Sequence, residues 1–235
     1  MKAYTSSLKH YVVQQLSVSN KEAIGFILSG RVLVNGHRGT LTQALLPEDE
    51  VKLDGRVIKA PRENIYLAYH KPCGVESTMN PDVKDNLLQA LNFPQSLFPV
   101  GRLDKASEGL MLLTNDGGTL YKILHAETLQ EKEYQVTVDH PLTQQALEQL
   151  AAGIVIMGKT TRAALVRQVD EITFTIVLTQ GLNRQIRRMC YKLGYEVKKL
   201  VRTRIINLEL GDLSPGAWRH LTKEEIKRLI QEVAC

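Results

Sequence analysis

The sequence predicts an α+β protein with a small N-terminal domain followed by a larger sheet domain. Apolar residues recur at helical spacing in residues 6–29 and alternate with polar residues in later segments. Asn35-Gly36 and Asp54-Gly55 are dipeptides typical of tight hairpin turns. Strand and helix patterns follow one another without a regular β-α-β alternation, which argues against a doubly wound parallel sheet. A chain of 235 residues is long enough for two such domains.

The N-terminal domain is predicted at residues 1–60, with 61–64 as a linker. Its first helix carries apolar residues at helical spacing, at Leu8, Val12 and Leu16. Ser19 is a suitable N-cap for a second helix, and Gly30 ends that helix. Two hairpins follow, around residues 31–36 and 51–57. The polar, Pro-containing segment after them marks the domain boundary.

The second domain is predicted at residues 65–235 from strand and helix patterns. Apolar runs at 65–70 and 110–114 are typical of buried strands, and residues 134–138 and 172–178 alternate at period two. Helical spacing of apolar residues predicts three covering helices, at 142–154, 183–193 and 222–233.

Composition and charge narrow the function classes. The net charge is +5, and residues 181–204 alone hold eight bases and one acid, so this window is the basic part of the chain. Such a cluster indicates a polyanionic partner. The sequence shows no membrane-spanning run and no apolar leader, so we expect a cytoplasmic protein. Its cysteines, Cys73, Cys190 and Cys235, are widely separated and are expected to be reduced thiols.

No cofactor or metal is expected, because the sequence contains no P-loop, GxGxxG, GxSxG or HExxH motif.

The first candidate for chemistry is Asp104, since an acid between glycines at a strand end can be held exposed. The alternative is a turn acid that pairs with Arg102 or Lys105.

Two further segments are candidates. On the helix at 183–193, Arg184, Arg187 and Arg188 lie off the apolar stripe and can hold phosphates or an ionised carboxylate. A merely solvated basic face is the alternative. Tyr134 lies on a strand, where a tyrosine is usually a core residue but can offer its ring to an extruded base.

A set of motifs carries a family resemblance. The chain resembles the bacterial ribosomal RNA pseudouridine synthases of the branch that includes small-subunit synthase A and large-subunit synthases B, E and F, and it is most similar to the F type. The matching segments, in family order, are Tyr69-His70-Lys71-Pro72-Cys73-Gly74, Gly101-Arg102-Leu103-Asp104, Glu108-Gly109-Leu110, Lys132-Glu133-Tyr134 and Gln180-Gly181-Leu182-Asn183-Arg184-Gln185-Ile186-Arg187-Arg188-Met189.

The resemblance implies a catalytic domain with a mixed, mainly antiparallel sheet flanked by helices, and an activity that converts uridine to pseudouridine in structured RNA. It implies Asp104 as the reactive carboxylate, Arg187 as its salt-bridge partner and Tyr134 as the residue that stacks on the flipped base. Leu103 and Leu200 would line the base and ribose pocket. The expected substrate is 23S rRNA, with tRNA as a further candidate, and the expected oligomeric state is a monomer.

The N-terminal segment is similar to an S4 RNA-binding domain, although Ser7 and Asn20 stand where arginines are usual. The residues expected to contact RNA are Lys9, Lys21, Arg31, Lys71, Arg102, Asn183, Arg184, Arg188, Lys198, Arg202 and Arg204. One alternative is a non-catalytic RNA-binding or ribosome-assembly factor on the same fold. A hydrolase is disfavoured, because the sequence offers no metal cluster or histidine-based acid and base pair.

Overall fold

The computed structural model describes residues 7–118, 123 and 130–232. These residues form two compact units. The N-terminal unit contains residues 7–65 with 115–118, and the larger unit contains 66–114, 123 and 130–232. Within the described residues, no helix is long and apolar enough to cross a membrane.

The N-terminal unit contains two helices, α1 (Leu8–Leu16) and α2 (Asn20–Leu28), and a four-stranded antiparallel sheet. Its strands are β1 (Val32–Val34), β2 (His37–Arg38), β3 (Val51–Leu53) and β4 (Arg56–Lys59), in the order β2-β1-β3-β4. Ser19 caps α2 by accepting a hydrogen bond from the Glu22 backbone N–H, as predicted. Both predicted hairpins are confirmed. The likeness to an S4 domain stays a prediction.

The larger unit is built on one mixed, mainly antiparallel sheet, and this predicted architecture is confirmed. Its strands are β5 (Tyr66–Lys71), β6 (Phe98–Pro99), β7 (Glu108–Thr114), β8 (Lys132–Val138), β11 (Leu165–Gln168), β12 (Thr173–Leu178), β13 (Val197–Ile205), β14 (Leu208–Glu209) and β15 (Trp218–His220). The main strand order is β11-β12-β8-β13-β7-β5-β15, with β6 on β7 and β14 on β13. A separate hairpin pairs β9 (Val155–Ile156) with β10 (Lys159–Thr160).

Four helices accompany this sheet in the described part of the chain: α3 (Leu87–Leu91), α4 (Gln144–Ala152), α5 (Gln185–Lys192) and α6 (Lys223–Glu232). The three helices predicted here correspond to α4, α5 and α6, and the predicted end of the last one at Val233 lies outside the described residues. Ile186, Met189 and Cys190 of α5 pack into the core against β8, β12 and β13, so the predicted buried stripe is confirmed.

The central strand β13 is absent from the sequence prediction. Four of its nine residues are Lys or Arg, and bulges at Val197/Lys199 and Arg202/Arg204 break the period-two pattern. It pairs in parallel with β7 through Val201 with Glu108 and Arg202 with Gly109. A Cβ at Gly109 would lie 2.4 Å from the Arg202 backbone nitrogen and oxygen, so only glycine allows this approach. The pairing brings β13 beside the loop that precedes β7.

Candidate active site

Asp104 lies in the loop between β6 and β7, just before β7 begins beside the middle of β13. Gly101 turns the chain there with a φ of +83°, a conformation that favours glycine. Leu103 beside it is buried, while Asp104 is half-buried. The loop therefore keeps its apolar residue inside and presents its acid at the surface of the fold.

The backbone of this loop is held at five successive carbonyl oxygens, at residues 102–106. Four of them accept a hydrogen bond from other segments of the larger unit, and Asp104 O accepts one from within the loop. The pairs are Arg202 Nη1 to Arg102 O at 3.4 Å, Ser77 Oγ to Leu103 O at 2.7 Å, Ser107 N to Asp104 O at 2.9 Å, Gly74 N to Lys105 O at 2.8 Å and Arg187 Nη2 to Ala106 O at 2.7 Å. We call this set the carbonyl clamp. It fixes the position of Asp104 without using its side chain.

The Asp104 carboxylate itself makes no hydrogen bond or ion pair with any residue that the structure describes. The alternative pairings with Arg102 and Lys105 are absent, because both side chains have other acidic partners. Arg102 Nη2 lies 3.8 Å from Glu76 Oε1, and Lys105 Nζ lies 3.2 Å from Asp85 Oδ2. The clamp thus presents a carboxylate whose acceptor oxygens remain available.

The expected salt bridge between Asp104 and Arg187 is not formed, and this part of the sequence prediction is corrected. Arg187 instead donates Nη1 to Val197 O at 2.8 Å and Nη2 to Ala106 O. Burial lowers the pKa of Arg187, repulsion from Arg184 acts in the same direction, and attraction to the Asp104 carboxylate opposes both. Arg187 is therefore within electrostatic reach of Asp104 but ties the loop to β13.

A cleft of about 590 Å³ opens beside the loop. Asp104 lines it together with Leu103, Tyr134 and Leu200. Tyr134 on β8 faces Arg202 of β13 in the sheet register, and Leu200 on β13 faces Val136. Adjacent strands therefore bring an aromatic ring and an apolar side chain to the same cleft as the carboxylate.

The rim of this cleft is basic and polar. Arg102, Lys105, Asn183 and Arg184 line it, and all four are exposed. Arg184 is the N-cap residue of α5 and has a left-handed φ of 49°. The rim thus has the charge needed to hold the phosphates of a nucleic acid strand whose base enters the cleft.

Several residues expected at the RNA surface prove to be buried, and these assignments are corrected. Lys71 is 0% exposed, and its Nζ donates to Pro72 O and Val75 O. Arg202 is 2% exposed, and its Nε donates to Leu110 O at 2.7 Å. Arg204 is half-buried, and its guanidinium forms ion pairs with Glu131 and Glu133. These cations are used inside the protein and do not face a phosphate.

The other expected contacts differ in how accessible their charge is. Lys198 is exposed, but its Nζ lies 2.7 Å from Glu196 Oε2. Arg31 donates a hydrogen bond to the Asp54 carboxylate, and its guanidinium lies over the Phe26 ring. Arg188 is exposed and bonds only to Asn183 in the described residues. The remaining two, Lys9 and Lys21, belong to the N-terminal unit.

Two supports of the loop escape the sequence analysis. Ser77 is buried, accepts from Leu103 N at 3.1 Å and donates to Leu103 O. Arg202 reaches both Arg102 O and Leu110 O from the next strand. Neither residue carries a local signal for this role, because each bonds to backbone 26 or more positions away.

This site and fold define a class of RNA-modifying enzyme. Residues 65–192 match the model of the RNA pseudouridylate synthase family. The chain belongs to this family, and it is an RNA pseudouridine synthase, an isomerase, as predicted.

Individual relatives agree with this assignment. The chain is 44% identical over 222 residues to the dual-specificity RNA pseudouridine synthase RluF of Escherichia coli K12. The aligned region covers 93% of this chain and 76% of the relative. It is 35% identical over 228 residues to an uncharacterized RNA pseudouridine synthase of Aquifex aeolicus, over 94% and 95% of the two chains. A crystal structure of a pseudouridylate synthase, 27% identical, superposes with a TM-score of 0.66 over 95% of this chain and 99% of that one.

Proposed function

We propose that the chain isomerises a uridine in 23S rRNA, with tRNA as the alternative substrate, and that Asp104 is the reacting carboxylate. The observation that carries this proposal is the shared cleft of Asp104, Tyr134 and Leu200, beside a loop held through its backbone. The name of the E. coli relative, a dual-specificity enzyme, supports testing two kinds of RNA.

The reaction breaks the N1–C1′ bond of uridine and forms a C5–C1′ bond. A proton leaves C5 and N1 gains one, so atoms and electrons balance without a redox partner. Asp104 has two chemical routes, attack on C1′ as a nucleophile or removal of the C2′ proton as a base. Both routes need an unpaired carboxylate oxygen, which is the state in which the described residues leave Asp104.

The other walls of the cleft have roles in holding the everted nucleotide. The Tyr134 ring would stack on the uracil, and its hydroxyl is our candidate for removing the C5 proton. Leu103 and Leu200 are buried and would pack against the ribose. Arg187 would act as a positioning residue, because it fixes Ala106 and keeps positive charge near Asp104.

The N-terminal unit is proposed as an accessory S4-like RNA-binding domain. Its two helices and small sheet enclose a core of their own, and Lys9 and Lys21 make no ion pair with other described residues. The proposal includes a cytoplasmic location, because the proposed RNAs occur in the cytoplasm, and a monomeric state.

Tritium release tests the proposed substrate. RNA transcribed with [5-³H]uridine loses its label to water as pseudouridine forms, because the C5 hydrogen leaves. We expect release from transcribed 23S rRNA, with total tRNA assayed in parallel. Binding of both RNAs without release from either would contradict the proposal and favour a non-catalytic RNA-binding factor.

A further inference from the structure

A second groove lies on α5, away from the reacting carboxylate. It has a volume of about 530 Å³ and lies between α5 and the β9–β10 hairpin. Its floor is apolar and buried, formed by Ile156, Tyr195 and Val197. We call it the α5 groove. Asp104 and Tyr134 do not line it, so the proposed chemistry does not explain it.

Two large apolar side chains at this groove are exposed to solvent and are not part of the buried core. Tyr191 on α5 is 81% exposed, and Met157 at the hairpin tip is 65% exposed. Met157 also has a left-handed φ of 50°, in a two-residue turn where Asn or Gly is the favoured residue. An exposed ring and a methionine held at a strained position are features that binding surfaces retain.

The charge around the groove identifies an anionic partner. Arg184, Arg188 and Lys192 lie along one face of α5, four residues apart. Among the described residues, the side chains of Arg184 and Lys192 have no hydrogen-bond or ion-pair partner. The single acid of the lining, Glu196, is 2.7 Å from Lys198, which reduces its repulsion of a phosphate. A flat ring among cations is the composition of single-stranded nucleic acid sites.

The groove adjoins the candidate active site at Arg184. Arg184 lines both the groove and the cleft that contains Asp104. The residues from Arg184 to Lys192 span about 12 Å of helix, at ~1.5 Å per residue. A strand whose reacting nucleotide enters the cleft would therefore cross Arg184 and continue along α5.

We propose that the α5 groove binds an unpaired nucleotide of the substrate RNA that neighbours the reacting uridine. Its base stacks on Tyr191 beside Met157, and its phosphate is held by Arg188 and Lys192. This inference rests on the proposed function, since it places RNA across the cleft, and it adds a second base-binding position.

Binding of short RNA to Tyr191 variants tests the groove. The probes are a labelled oligouridine decamer and an abasic ribose-phosphate decamer of equal charge. Tyr191→Ala should weaken oligouridine binding about tenfold, because stacking on one aromatic ring contributes this order of affinity. It should leave binding of the abasic decamer unchanged, and Tyr191→Phe should restore oligouridine binding because it keeps the ring.

Trp218→Ala is the matched control, because this exposed aromatic residue lies on β15 and does not line the α5 groove. It should bind both probes as the unaltered chain does. Equal affinities of Tyr191→Ala and the unaltered chain for oligouridine would overturn the proposal, and so would an equal loss for both probes. The outcome is independent of tritium release, so a failure of the proposed substrate and a failure of the groove can be told apart.

Discussion

Two basic residues of the N-terminal unit, Arg31 and Lys59, and the basic face of α5 in the larger unit use their charges in different ways. In the N-terminal unit, Arg31 is bound by Asp54, and Lys59 is buried with its ammonium on Pro47 O and Asp49 O. In the larger unit, α5 leaves Arg184 and Lys192 exposed without described partners. A count of Lys and Arg does not locate an RNA surface, because a cation already paired or buried offers little to a phosphate.

Asp54 of the N-terminal unit and Asp104 of the larger unit differ in the same way, because one carboxylate is paired within the described residues and the other is not. Asp54 sits in a hairpin turn and is engaged by a guanidinium. Asp104 also sits in a turn, but its surroundings bond to the backbone of its loop and leave its carboxylate without a partner among the described residues. Reactivity is therefore expected where the structure fixes the main chain and leaves the side chain available.

The largest effect is expected from Asp104→Asn. The substitution preserves size and leaves the carbonyl clamp in place, but it removes the negative oxygen that either chemical route requires. Tritium release should fall about 10⁴-fold or more, on the scale of a lost nucleophile, while RNA affinity stays within a factor of two or so. Asp54→Asn is the matched turn acid and should retain full turnover; turnover that survives Asp104→Asn would remove Asp104 from its role.

A smaller loss is expected from Arg187→Lys. Lysine keeps the charge near Asp104 but cannot bridge Ala106 O and Val197 O with two separate nitrogens. A shift of about 1 Å in a reacting group costs ~100-fold in rate, so kcat should fall by about that factor with little change in KM. Arg228→Lys, at an exposed position of α6, controls for the exchange itself. If kcat is unchanged, the clamp does not position Asp104.

The salt dependence of RNA affinity compares the phosphate contacts that the two units make. Arg184→Ala combined with Arg188→Ala should lower the slope of log affinity against log salt by about 1.4, at ~0.7 per single-strand phosphate contact. Lys9→Ala combined with Lys21→Ala in the N-terminal unit should lower it less, since we propose only an accessory role in RNA binding for that unit. Equal slopes for the unaltered chain and the α5 double variant would show that this helix face is only solvated.

The smallest effect concerns the buried Lys71. Burial lowers its pKa to about 8, from an ordinary 10.5. Between these values the unfolded chain binds more protons than the folded chain, so stability from this residue rises with pH. The unfolding free energy of the unaltered chain relative to Lys71→Met should therefore increase from pH 8 to pH 10. A difference that stays constant over this range would mean that Lys71 titrates normally.

Local patterns predicted much of the fold and the members of the site. The turns at Asn35-Gly36 and Asp54-Gly55, the capped helix α2 and the buried stripe of α5 depend on neighbouring residues, and all four were predictable. The family motifs selected Asp104 and Tyr134, which share one cleft in the structure.

Long-range backbone contacts limited the rest. Strand β13 was missed because bulges disrupt its alternation. Arg202 was assigned to the surface because its acceptor, Leu110 O, lies 92 positions away in the sequence. Lys71 was assigned to the surface although its acceptors, Pro72 O and Val75 O, are close in sequence, because its burial depends on the packing of the whole sheet. Ser77 gave no signal, since its partner Leu103 is 26 positions away. The local sequence around a lysine or arginine does not show whether its side chain is exposed or buried among carbonyl groups.

A structure of the Asp104→Asn protein bound to its substrate RNA would show whether position 104 meets the reacting carbon. We expect an everted uridine in the cleft, with its uracil on the Tyr134 ring and C1′ about 3–3.5 Å from the side chain at position 104. The loop carbonyls at 102–106 should keep their donors. A uridine bound with its ribose away from position 104 would exclude Asp104 as the reacting carboxylate.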